Sequence, residues 1–119
     1  MRAGLVYIAA SFDLALAAFH IAFWRLFRWP ESLAAAGRLN AAVMQVMNLM
    51  LIYVFVVMGA ALLWMGPAAP APLLLAAAGF GAVRLALQPS FFGLRSRPSQ
   101  AFTTGMALLT LAHLGATFA

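Results

Sequence analysis

Four ionisable side chains stand inside long apolar stretches of this sequence, and their types are the ones most suited to chemistry. They are Asp13, His20, Arg84 and His113. A charged side chain at the centre of a lipid-embedded helix costs roughly 2.5 to 3.5 kcal/mol even on the most lenient scale, so such residues commonly serve a ligand site or a proton path. Imidazole exchanges protons near neutral pH, and a guanidinium pairs with a carboxylate.

The spacing of the polar residues places several of them on common helical faces. Asp13 and His20 are seven residues apart and therefore share a face. Gln45 and Asn48 also share a face, as do Arg84 and Gln88. In the last apolar stretch a single stripe with 3-4-3-4 spacing comprises Thr103, Met106, Thr110, His113 and Thr117.

These faces predict a polar seam inside the membrane that binds a ligand or handles protons. Its residues are Asp13, His20, Gln45, Asn48, Arg84 and His113. In this hypothesis Arg84 pairs with Asp13, and the two histidines exchange protons at opposite ends. The alternative is structural: Asp13 and Arg84 neutralise one another, and the amides and threonine hydroxyls only fix helix packing.

The elements that position these residues are four apolar stretches, at residues 4–24, 40–64, 71–88 and 101–119. Each is near the ~20 residues that cross a bilayer as a helix. Of the 119 residues, 66% are hydrophobic and 8% are charged, which is too few charges for a water-soluble surface. We predict an all-α integral membrane protein, a single-domain four-transmembrane-helix bundle with short loops. Asn40 and Ser99 are the predicted N-caps of the second and fourth helices.

Arginine distribution predicts the orientation. Arginines lie in the first and third connections and are missing from the second, so those two connections should be cytoplasmic and both termini periplasmic, in a bacterial inner membrane. The first connection also breaks at Trp29-Pro30 and continues as a short helical run ending near Gly37. The predicted membrane-surface residues are Arg25, Arg28, Trp29, Arg38, Arg95 and Arg97.

Several cofactor and partner classes are disfavoured by the composition. The chain has no cysteine, and it carries no recognisable catalytic motif, so we predict no catalytic residue and no metal site. The missing motif favours a protein that is not an enzyme, and an enzyme stays open as an alternative. Haem ligation by His20 and His113 is disfavoured because their predicted depths differ by about 10 Å, unless two protomers bring equivalent histidines together. The cofactor is left open. The scattered arginines do not form a nucleic-acid surface.

Residues 20–29, HIAFWRLFRW, followed by residues 40–48, NAAVMQVMN, resemble uncharacterised bacterial inner-membrane proteins of similar length with four predicted helices. The resemblance implies this layout and directs attention to the junction of the first two helices. Three functions remain open: a protein that binds or passes a small or lipid-like molecule at the seam, an accessory or assembly subunit of a larger membrane complex, and a small enzyme acting on lipids or isoprenoids. The expected partners are membrane lipids and either further copies of the chain or a larger complex.

Overall fold

The chain is entirely helical, without strands, in a computed structural model that describes residues 1–119. Four helices are long and apolar enough to cross a membrane. The all-helical prediction and the number of such helices are therefore confirmed. The α-helices are α1 Arg2–Ile21, α2 Phe23–Leu26, α3 Arg38–Met65, α4 Ala71–Phe92 and α5 Arg97–Phe118, and 3₁₀ helices cover Glu31–Ala36 and Gly66–Ala68.

The chain divides into two compact units. Unit 1 comprises Met1–Ala10 and Leu62–Ala119, and unit 2 comprises Ser11–Ala61. Helices α1 and α3 each contribute residues to both units, whereas α4 and α5 belong to unit 1 alone. The single-domain prediction concerns the relation between these units and stays a prediction.

In unit 1, α4 and α5 form an antiparallel pair joined by a four-residue turn, residues 93–96. Gly93 ends α4 with a positive φ of 70°, a conformation that glycine adopts without steric cost, and its N–H bonds the Pro89 carbonyl at 3.2 Å. Ser96 begins α5 as its N-cap, since its Oγ accepts the Ser99 N–H at 3.3 Å. Further along the pair, Gly81 permits close approach of α4 to Thr110 and Leu109.

The ends of these helices differ from the sequence prediction. Helix α4 continues through Pro89 to Phe92 instead of ending at Gln88, because a proline late in a helix removes a single backbone hydrogen bond and Gly93 supplies the actual stop. Helix α5 begins at Arg97 instead of Ala101, with Pro98 in its first turn, where the missing N–H has no intrahelical partner to lose. The predicted cap Ser99 is thus inside α5.

In unit 2, a short connection leads from α1 to α3. After α2 the chain turns through Arg28, with φ 55°, and a cis Trp29–Pro30 peptide bond into the 3₁₀ helix, which Gly37 ends. The predicted break and short helical run are confirmed. Asn40 lies within α3 instead of capping it, and its Nδ2 donates to the Ala36 carbonyl at 3.0 Å.

Helix α3 buries one narrow stripe and leaves its other faces apolar and exposed. The buried residues Asn48, Phe55, Gly59 and Leu62 follow spacings of seven, four and three, which is a single helical face. Exposed large side chains cover the rest, among them Met47 at 61% and Tyr53 at 63% exposure. An apolar exterior of this extent is typical of a surface covered by lipid or by another protein.

Candidate functional site

The candidate site in unit 2 is centred on Asn48, which joins α3 to the end of α1. Its Nδ2 donates to the main-chain carbonyl of His20 at 2.9 Å. The last four carbonyls of a helix lack intrahelical donors, so a side-chain donor here completes the end of α1. Asn48 is 4% exposed, so this hydrogen bond between the two helices is buried.

The Oδ1 atom of Asn48 is buried and has no hydrogen-bond partner in the protein. Exchanging the amide nitrogen and oxygen does not relieve this, because the oxygen would then face the His20 carbonyl, which only accepts. A buried acceptor left without a donor costs about 1 to 3 kcal/mol. The position therefore has an unmet requirement for an N–H or O–H group.

The imidazole of His20 lies next to this amide in an aromatic environment. Its ring stacks on Phe23 with centroids 4.7 Å apart and lies 5.2 Å from the ring of Phe55. Nδ1 is 2.8 Å from the Leu16 carbonyl, and since a carbonyl only accepts, Nδ1 carries the proton.

Gln45, one turn before Asn48, uses both ends of its amide within unit 2. Its Oε1 accepts from Trp24 Nε1 at 3.1 Å, and its Nε2 donates to the Ala41 carbonyl at 3.2 Å. The arrangement fixes the indole of Trp24 against α3. Gln45 therefore has a clear structural role, whereas the neighbouring Asn48 has an unmet acceptor.

Asp13 and His20 are both buried, at 3% and 9% exposure. They share the face of α1 that also buries Ala9 and Ala17, so the prediction that this face turns inward is confirmed. The pairing of Asp13 with Arg84 joins residues of different units and stays a prediction. The same holds for haem ligation or proton exchange involving both His20 and His113.

In unit 1, Arg84 is held by a hydrogen-bonded chain that ends on the turn between α4 and α5. Arg84 Nη1 donates to Gln88 Oε1 at 2.8 Å, and Gln88 Nε2 donates to Ser99 Oγ at 2.7 Å. The Ser99 hydroxyl in turn donates to the Gly93 carbonyl. Because the Gly93 carbonyl can only accept, the direction of each of these three hydrogen bonds is fixed. Gln88 must therefore present its amide oxygen to Arg84. The shared face of Arg84 and Gln88 is confirmed.

His113 is fully buried on α5, and its Nδ1 lies 2.9 Å from the Leu109 carbonyl. Threonines on the same stripe also bond their own helix: Thr110 donates to the Met106 carbonyl and Thr117 to the His113 carbonyl, both at 2.8 Å. Each of these hydroxyls thus bonds a carbonyl one turn earlier on its own helix, as threonines in helices commonly do. His113 is the buried imidazole of α5.

The predicted membrane-surface arginines are all exposed: Arg25, Arg28, Arg38, Arg95 and Arg97. Trp29 is half-buried, against the rings of Trp24 and Phe23 at 5.6 and 5.7 Å. No three histidine, aspartate or glutamate side chains converge as metal ligands would.

Sequence reasoning missed Ser99, Phe92 and Phe102 as partners of the Arg84 network. The guanidinium of Arg84 lies 4.8 Å from the Phe92 ring centre and 4.7 Å from that of Phe102. The spacing of Arg84, Gln88 and Phe92, four residues each, was the available signal for one helical face. No family model, curated protein or solved structure matches this chain.

Proposed function

We propose that this chain is a small inner-membrane protein whose four long helices span the bilayer. The lengths of the helices and the large apolar side chains exposed along α3 support this placement. The arginines of the first and third connections then lie on the cytoplasmic side, and both termini lie on the periplasmic side.

We further propose that the protein binds or passes a small or lipid-like molecule at its polar intramembrane residues. The observation that carries this proposal is the buried, unpartnered Oδ1 of Asn48. In a bilayer no bulk water reaches such an atom, so its acceptor requirement falls to a bound molecule or to an enclosed water. The molecule must therefore offer an N–H or O–H group.

The surroundings of Asn48 narrow the chemistry further. The neighbouring His20 ring packs with Phe23 and Phe55, which form an apolar, aromatic wall. A single acceptor beside aromatic rings suits an amphiphile with an apolar body and one hydroxyl or amide group.

The experiment compares what copurifies in mild detergent with wild type, Asn48→Leu and Asn40→Leu, using mass spectrometry. Asn48→Leu removes the unmet acceptor at similar volume, and we expect loss of the bound species. Asn40→Leu removes an exposed amide from the same helix and should retain it. A wild-type spectrum free of small molecules, or equal retention by Asn48→Leu, would contradict the proposal. Helical circular dichroism of each variant shows that the comparison is made on folded protein.

An accessory role in a larger membrane complex is the second candidate. It is favoured by the surface of the first connection, where Arg25 and Arg28 are exposed beside Leu26 and Phe27, at 59% and 47% exposure. Interfaces are enriched in aromatic and arginine side chains of this kind. If Arg25→Gln with Arg28→Gln abolishes copurification of one stoichiometric protein, and Asn48→Leu leaves it unchanged, the accessory role replaces ligand binding as the proposed function.

A further inference from the structure

Unit 1 has an unbalanced positive charge. Its ranges include Arg2, Arg84, Arg95 and Arg97, whereas the two acidic side chains of the chain, Asp13 and Glu31, both belong to unit 2. Three of these arginines belong to α4, α5 or the turn between them. This end of unit 1 therefore has cationic side chains and no carboxylate side chain of its own.

The guanidinium of Arg84 is extended along α4 toward that turn. Its partners on the same helix are Gln88 and Phe92, four and eight residues further on, and its partner on α5 is Phe102. A long cationic side chain in an apolar helix extends in this way to bring its charge toward the headgroup layer. The C-terminal end of α4 also favours a cation electrostatically.

The contacts hold the guanidinium in place and leave it suited to an anion. Gln88 takes one of its five N–H donors, and the two rings contact it with their faces. The chain through Ser99 to the Gly93 carbonyl fixes the Gln88 amide and hence the position of the guanidinium. A planar fork fixed in this way matches two oxygens of a phosphate group.

The surface around the turn combines exposed positive charge with exposed apolar groups. Arg95 and Arg97 are exposed on either side of Ser96, and Phe91 and Phe92 are 74% and 65% exposed at the end of α4. A soluble phosphate would use the charges only. A phospholipid would use both, with its phosphate at the arginines and its acyl chains along the phenylalanines.

We propose that the α4–α5 turn binds the phosphate of an anionic phospholipid, with Arg84 as the fixed donor and Arg95 and Arg97 as flanking charges. This inference rests on the membrane placement proposed above and is independent of the ligand at Asn48. Under the positive-inside assignment, the turn faces the cytoplasmic leaflet.

The test is a titration of detergent-purified protein with phosphatidylglycerol, followed by native mass spectrometry. We expect Arg84→Gln to weaken binding about tenfold or more, as loss of a charge-assisted hydrogen bond predicts. The matched control is Arg38→Gln, which removes an exposed arginine from unit 2. It should change affinity less than threefold, because salt screens a solvent-exposed charge. Equal loss in both variants would overturn the site, since it would reflect net charge alone.

Further arms separate the competing explanations. Asp13→Asn should leave phosphatidylglycerol affinity unchanged, and a gain would show that Arg84 is committed to Asp13 instead. Displacement of the lipid by an equal concentration of inorganic phosphate would assign the site to free phosphate and overturn the lipid assignment. If Arg84→Gln does not fold, Arg84→Lys keeps the charge but removes the fork: weaker binding supports the site, and unchanged binding overturns the role of the guanidinium. Whether Asn48→Leu retains the small molecule proposed for unit 2 tests that site alone, so the two proposals can fail separately.

Discussion

Replacing Gly81 with alanine tests how closely α4 approaches α5. A Cβ on Gly81 would clash with Thr110 Oγ1 and would lie 3.0 Å from Leu109 Cδ2, whereas a Cβ on Gly79 would meet no atom within 4 Å. Both glycines lie within α4. Gly79→Ala is therefore a matched control that changes helix propensity in the same way without creating the contact.

Two opposing contributions set the size of the effect. Replacing glycine by alanine inside a helix stabilises it by about 0.5 to 1 kcal/mol. Forcing an additional methyl group into a close contact costs about 1 to 3 kcal/mol. We therefore expect Gly79→Ala to raise the free energy of unfolding. The free energy of unfolding of Gly81→Ala should be about 1 to 3 kcal/mol lower than that of Gly79→Ala.

The assay is reversible unfolding in mixed micelles of mild detergent and dodecyl sulfate, followed by circular dichroism. Thr110→Ala removes the hydroxyl that makes the shortest contact, so adding it to Gly81→Ala should recover most of the loss, beyond its own effect. Equal unfolding free energies for the two alanine variants would refute the close approach of the helices. Simple additivity of Gly81→Ala and Thr110→Ala would refute the assignment of the contact to the Thr110 side chain.

Two further predictions concern the second connection and the orientation. Gly66 has a positive φ of 51°, and a Cβ added there would lie 3.0 Å from Tyr7 Oη. Gly66→Ala should therefore lower the free energy of unfolding by about 1 to 3 kcal/mol. Gly4→Ala is the control and should not lower it, because a Cβ on Gly4 meets nothing within 4 Å. Because the chain has no cysteine, the single variants Ala68→Cys and Ala35→Cys report topology directly. A membrane-impermeant maleimide should label the exposed residue 68 in spheroplasts, and should label residue 35 only after permeabilisation. The reverse pattern would contradict the proposed orientation.

Hydropathy is sufficient to predict the four long helices, since each presents an almost continuous apolar surface. The helix ends depend on single hydrogen bonds, which composition does not determine. Ser96 and Ser99 are equally good N-caps by residue type, and the choice follows from Pro98, which fits the first turn of α5. Pro89 looked like a terminator, yet α4 continues past it to Gly93.

Residue type and period also predict which polar side chains face inward, but not what they contact. Asn48 and His113 are buried, as their faces indicate, whereas the long side chain of Arg84 remains half-buried and reaches two turns along its helix. The contribution of Phe102 and Ser99 depends on the register between α4 and α5. The helical periodicity of the sequence assigns a buried face to each helix separately, but it does not determine the register between two helices.

The hydroxyl-to-carbonyl bonds of α5 have a consequence for biogenesis. This helix is the least apolar of the four by hydropathy, which ranks it as the poorest substrate for insertion. Yet the hydroxyls of Thr103, Thr110 and Thr117 donate hydrogen bonds to carbonyls of the same helix. His113 Nδ1 likewise bonds the Leu109 carbonyl. If α5 spans the bilayer as proposed, these bonds within the helix lower the cost of placing its hydroxyls in lipid before α4 is alongside. The threonines of α5 then favour insertion of this helix ahead of its pairing with α4.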